Sequence, residues 1–104
     1  MVVRFWRGYG AVASQDAYPK HLLEGVRPKL AQLPGFRGLY LLRRRHPDEV
    51  EFLVLTLWES MEAIRAFAGP APEQAVVEPA ARAALLRYDP LVSHYEVLAG
   101  PGHP

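Results

Sequence analysis

The chain has 104 residues, with 10 Pro, 8 Gly and no Cys; half of it is hydrophobic, 22% is charged, and the formal net charge is +1. That length fits one domain, expected over residues 1–99 with a tail at 100–104, and it suffices for a core without disulfides or metal. The balance excludes a disordered chain, a zinc–thiolate framework and the electrostatic footprint of a nucleic-acid binder. No apolar run reaches a membrane-spanning length, and Arg4 and Arg7 break what would be the core of a signal peptide. A soluble cytoplasmic domain is expected.

Val2 to Tyr9 reads as a strand, with Val3, Phe5, Arg7 and Tyr9 on one face and Val2, Arg4 and Trp6 on the other. Ala17 to Leu33 reads as a helix capped by Asp16 or Ser14. Its stripe is Leu22, Val26, Leu30 and Leu33, and Pro28 is expected to kink or break it near Arg27. After the turn at Pro34-Gly35, Phe36–Arg45 and Glu49–Trp58 form a hairpin about Pro47 and Asp48, with Arg44 facing Glu51 and His46 facing Glu49. Ser60 caps a helix running to Ala68 and stopped by Gly69-Pro70. Ala71–Val77 has no clear pattern. A further helix is expected over Ala80–Tyr88, and a last strand over Leu91–Leu98.

The order β-α-β-β-α-α-β matches an α+β ferredoxin-like protomer, a four-stranded antiparallel sheet with helices on one face. The third strand is apolar on both sides: Phe52, Val54, Thr56 and Trp58 on one, Leu53, Leu55 and Leu57 on the other. Helices cover one side only, so a second copy is expected on the other, as a homodimer with two sheets face to face.

Three segments carry a family resemblance: Leu33-Pro34-Gly35-Phe36-Arg37-Gly38, Val54-Leu55-Thr56-Leu57-Trp58-Glu59-Ser60 with Ala63 following, and His94-Tyr95-Glu96-Val97. In these, and in element order over nearly its whole length, the chain resembles the antibiotic-biosynthesis-monooxygenase family of dimeric α/β barrels. The resemblance implies a pocket for a small hydrophobic or aromatic molecule. It also implies oxygen chemistry on an electron-rich quinol or anthrone without a cofactor. The family's haem-degrading branch uses an Asn, a Trp and a His. This chain has no Asn, carries Phe67 at the Trp position, and has no His near Val77, where the third would fall.

His94 is the best single candidate for chemistry, since an imidazole can take the proton of a phenol. The alternative is a structural histidine bonded across the sheet or the dimer interface. Arg4 and Trp6 share a face of the first strand, which borders the last one in this topology. The guanidinium would steady an oxyanion and the indole N–H would orient a carbonyl. Their other readings are an ion pair with Glu96 and a packed aromatic with a satisfied N–H. Trp58 and Phe67 are candidates to touch substrate, with core packing as the alternative. Arg43-Arg44-Arg45-His46 reads as a paired, solvated hairpin end opposite Glu49 and Glu51. His21 either borders the cavity or sits on the helix surface. His21, His46 and His94 lack metal-ligand spacing, and no cofactor or metal is expected. A binding module without catalysis and a haem-binding protein are the competing functions, and His103 has no expected role.

Overall fold

A computed structural model describes residues 1–101. The tail reading at Gly102–Pro104, His103 included, falls outside them.

Strand β1 (Val2–Gly10) is the spine of the sheet. It pairs antiparallel along its full length with β3 (Val50–Trp58), from Val2 opposite Trp58 to Gly10 opposite Val50. Beyond β3 lies β2 (Phe36–Arg45), joined to it by the expected hairpin, with Arg44 opposite Glu51 and the His46 N–H donating to the Glu49 carbonyl at 2.9 Å. Gly35, at φ +83°, makes the turn into β2; a Cβ there would stand 2.6 Å from that of Ala63. The order β2-β3-β1 is that of the ferredoxin-like sheet.

The far edge of β1 differs from the expectation of one strand. Five strands fill four ladder positions, because two short strands share that edge. β4 (Arg87–Tyr88) pairs with Gly8 and Tyr9, and β5 (Ser93–Glu96) pairs with Val2 to Phe5. The expected helix to Tyr88 is therefore cut to Pro79–Ala83 (α4), and the expected strand over Leu91–Leu98 to Ser93–Glu96. The edge of β1 captures the chain: the Leu86 N–H donates to the Tyr9 carbonyl at 2.8 Å, and the Asp89 N–H to that of Arg7 at 2.9 Å. Arg87 adds a seat over the Tyr9 ring, 3.9 Å from its centroid, and a paired contact with Glu49. Pro90 has no N–H to continue the ladder, so the chain leaves the edge and returns at Ser93.

The first helical region is continuous but not uniform. It comprises α1 (Ala17–Lys20), a π-helical stretch (His21–Val26) and α2 (Arg27–Leu30). Pro28 neither breaks nor ends it. The turn ahead of Pro28 widens instead, with the Arg27 N–H reaching back to the Leu22 carbonyl. The side-chain spacing agrees: Tyr18, Leu22, Val26 and Leu30 recur every fourth residue, which overruns an α-helical turn of about 3.6 residues. A wide turn absorbs the overrun and keeps the stripe on the sheet, and Tyr18, Leu22 and Leu30 are buried. Asp16 holds the N-cap position without capping; its carboxylate pairs with Arg43 at 3.2 Å. Helix α3 (Met61–Ala68) is capped as expected, with the Ala63 N–H donating to Ser60 Oγ at 3.2 Å.

The helices cover the face of the sheet that carries Arg4, Trp6, Val50, Phe52, Val54 and Trp58, all buried. The opposite face carries Val3, Phe5, Leu53, Leu55 and Leu57, flanked by Tyr40, Leu42 and Tyr95, and these last three are exposed. That face ends in a charged corner. There Glu51 is buried under Arg7, Arg44 and His46, at 3.2, 2.8 and 2.8 Å. Hydrogen bonds from His46 and Arg44 hold its carboxyl below the usual range. Of the arginine run, Arg44 pairs with Glu51 as expected, whereas Arg43 pairs with Asp16 and Arg45 donates to the Gln15 side chain at 3.1 Å, both outside the hairpin.

Candidate functional site

Between the sheet and the first helical region lies a cavity of about 250 Å³. Its floor comes from alternate positions of the two central strands: Arg4 and Trp6 on β1, Val54 and Thr56 on β3. Leu22, Val26 and Leu30 form the roof, which is why the wide helical turn matters for the site. Phe67 closes one wall and Val77 another.

Arg4 is 5% exposed and is the cationic group of the floor. Its Nη1 donates to the Pro72 carbonyl at 2.5 Å and meets His94 Nε2 at 3.0 Å; its Nη2 donates to the Gln74 carbonyl at 2.9 Å. One guanidinium thus fastens the unpatterned 71–77 segment across the cavity. Two further bonds finish the strap, from the Ala75 N–H to the Pro90 carbonyl and from the Val92 N–H to the Glu73 carbonyl. Burial lowers the affinity of Arg4 for its proton, and nearby Glu73 partly offsets this.

His94 stands beside Arg4, as expected from the pairing of the first and last strands. It is not among the residues lining the cavity. A guanidinium only donates, so His94 Nε2 is the acceptor and the ring proton sits on Nδ1. The lone pair that would serve as a base is engaged. Burial, and then the charge of Arg4, hold the imidazole pKa below its ordinary value.

Trp6 lines the cavity with its ring, while its indole N–H donates to the Asp89 carbonyl at 2.9 Å. That donor is therefore spoken for. Trp58 is fully buried behind the wall: its N–H donates to Thr56 Oγ1 at 2.9 Å, and its ring stacks on Phe67 at 5.3 Å. Phe67 faces the cavity with Trp58 at its back and Arg4 5.8 Å from its ring centroid. Of the five expected site residues, the cavity gathers Arg4, Trp6 and Phe67; His94 and Trp58 support them from behind.

The opposite margin holds a cluster of which the sequence offered only His21, as one of two readings. His21 lines the cavity with Lys29 and Glu78. His21 Nε2 lies 3.5 Å from Glu78 Oε1, and Lys29 Nζ lies 3.3 Å from Glu78 Oε2. Glu78 comes from the stretch just before α4, so no local pattern pairs it with His21. The fourth-residue spacing of the helical stripe was the one available signal. Among the described residues no group of three or more His, Asp or Glu is arranged to hold a metal ion, and no helix is long and apolar enough to cross a membrane.

Comparison with known proteins places this geometry. Residues 11–79 match the family model for antibiotic biosynthesis monooxygenase. No curated protein matched the chain. Among solved structures, it is similar to MhuD, a haem-degrading protein of Mycobacterium tuberculosis solved with two haems in its active site. That match has 27% identity and a TM-score of 0.64, over 98% of this chain and 100% of the other. It is also similar to a protein of the same family from Bacillus cereus, at 15% identity and TM-score 0.62, over 96% of this chain and 95% of that one. SnoaB, a cofactor-independent oxygenase of Streptomyces nogalater, matches at 24% identity and TM-score 0.56 over 95% of each chain. With the family model spanning most of the chain, and the sheet and cavity built as described, the protein belongs to the antibiotic biosynthesis monooxygenase family.

Proposed function

We propose that the protein is a cofactor-independent monooxygenase acting on a small, flat, electron-rich aromatic of the quinol or anthrone kind. The observation that carries this reading is the cavity: about 250 Å³, walled by Trp6, Phe67 and aliphatic side chains, with a guanidinium in its floor. Its size falls just below the range of about 300–1,000 Å³ seen for small-molecule pockets, which suits a compact ring system. Once such a substrate loses its hydroxyl proton, the ring anion reduces oxygen itself. For an anthrone-like substrate one oxygen atom becomes the new carbonyl, and the other leaves as water with the two hydrogens of the oxidised carbon. The protein's part is to exclude water, orient the ring and stabilise negative charge, which Arg4 does from the floor. His94 orients Arg4 by accepting its hydrogen bond.

The partner in this reading is a second copy of the chain, set on the apolar face that carries Phe5, Leu55 and Tyr40. Light scattering at micromolar concentration is expected to give a dimer, and a stable monomer would refute the assembly. Oxygen uptake with a panel of quinols and anthrones tests the activity. Saturable uptake with loss of the substrate band supports it; binding without uptake leaves a ligand-binding module.

Haem binding is the second reading, favoured by the 27% identity to MhuD. Against haem degradation by that branch's residues stand Phe67 and Val77 in the cavity wall and the absence of Asn from the chain. Added haem with no Soret shift would eliminate this reading.

A further inference from the structure

The polar margin opposite Arg4 is unused by the mechanism above, and its chemistry is incomplete. His21 Nε2 is buried and has no hydrogen-bond partner. Its near neighbour is Glu78 Oε1 at 3.5 Å, too far for a good hydrogen bond, while the other Glu78 oxygen is held by Lys29. A buried imidazole nitrogen without a partner costs free energy unless something arrives to pair with it. Nothing else on the surrounding elements does so. Lys20 and Glu24 flank the ring in a shallow hollow on its outer side, and Lys29 is turned to Glu78. The ring's second nitrogen, Nδ1, lies over Gly25, 3.5 Å from where a Cβ would stand, an ordinary contact that a larger side chain would tighten. His21 thus lines both the cavity and the hollow. It is carried by the π-helical stretch, a form found in single turns and often at functional sites.

We propose that His21, with the Glu78 carboxylate beside its Nε2, is the proton acceptor of the cavity, and that the ligand carries an ionisable aromatic hydroxyl. This rests on the reading of the cavity as an aromatic site. The hydroxyl donates to Nε2; its O–H bond breaks and an N–H bond forms there. The resulting imidazolium faces the Glu78 carboxylate, whose other oxygen Lys29 anchors. The ligand stays in the cavity as the anion. His94, with its lone pair engaged by Arg4, has no part in this step.

The probe is alizarin, a flat hydroxyanthraquinone that is yellow as the neutral phenol and red as the monoanion. Quenching of tryptophan fluorescence reports binding, because Trp6 lines the cavity; the visible band reports ionisation. Bound dye is expected to ionise with a constant raised about tenfold or more over that of free dye. In His21→Gln, the dye that binds, read by quenching, should lack the ionisation shift. Glu78→Gln, at a half-exposed side chain where folding is safe, should reduce it. Gly25→Leu, which crowds the ring from the hollow side, should reduce it as well. Dye bound as the neutral phenol, or a shift that survives both His21→Gln and Glu78→Gln, would overturn His21 as acceptor while leaving the aromatic site intact. Absence of quenching would overturn the aromatic site itself, and the acceptor with it.

Discussion

The two polar ends of the cavity are built on opposite terms. At one end, the guanidinium of Arg4 is matched by two backbone carbonyls and an imidazole, on elements distant in the chain. At the other, His21, Glu78 and Lys29 stand near one another with long contacts and an unpaired nitrogen. A buried polar network whose hydrogen bonds are made holds structure in place, whereas one left short of a partner is available to a ligand. Arg4 is thus first a fastener and second an electrostatic presence in the floor, and the open end is where proton chemistry has room to occur.

The largest test of this contrast is Arg4→Met. It strands the Pro72 and Gln74 carbonyls and releases the 71–77 strap, so a loss of about 3 kcal/mol in urea unfolding is expected. Protease cleavage within 71–77 should accompany it. A loss below about 1 kcal/mol would mean that the strap is held by something else.

His94→Ala comes next, at about 1 kcal/mol, the worth of one hydrogen bond. His94→Gln, whose carbonyl can accept from Arg4, should recover both stability and oxygen uptake. If Gln fails where Ala fails, His94 does more than orient Arg4.

The same residue sets a pH dependence. Its folded pKa lies below its unfolded value near 6.5, so the unfolded chain binds the extra proton first. The stabilisation is full above that pH and is lost as pH falls toward the folded value. Wild-type unfolding midpoints should therefore drop as the pH falls below about 6.5, and His94→Gln should flatten this part of the profile.

The smallest effect is expected at the open end. His21→Gln should change stability by about 0.5 kcal/mol or less, because no hydrogen bond is lost. A larger cost there than at His94 would reverse the contrast between the two ends.

Much of the framework was legible in the sequence because it is local. Pro47-Asp48 and the facing Arg44 and Glu51 set the hairpin register, Ser60 marked a cap, and the side of β3 that carries Phe52, Val54 and Trp58 announced the face the helices cover. The edge of β1 was not legible. Arg87 and Tyr88 continue a helical pattern, and only the unpaired backbone of Gly8 and Tyr9, far away in the chain, turns them into a strand. The same limit governed the site. Arg4 and His94 came together because strand order predicts it. His21 could be read as a cavity border or a surface position; the widened turn and a partner 57 positions later, which decide between them, are tertiary facts.

The broken ladder on β1 also bears on how the protein behaves when concentrated. A sheet with an intact rim invites another strand to add, then another, toward runaway filaments. Here one rim is interrupted at Pro90, and the other, β2, is irregular at Phe36/Gly38 and ends in three consecutive arginines. Both edges of the sheet are thus poor templates for a further strand, so crowding is not expected to drive edge-to-edge polymerisation.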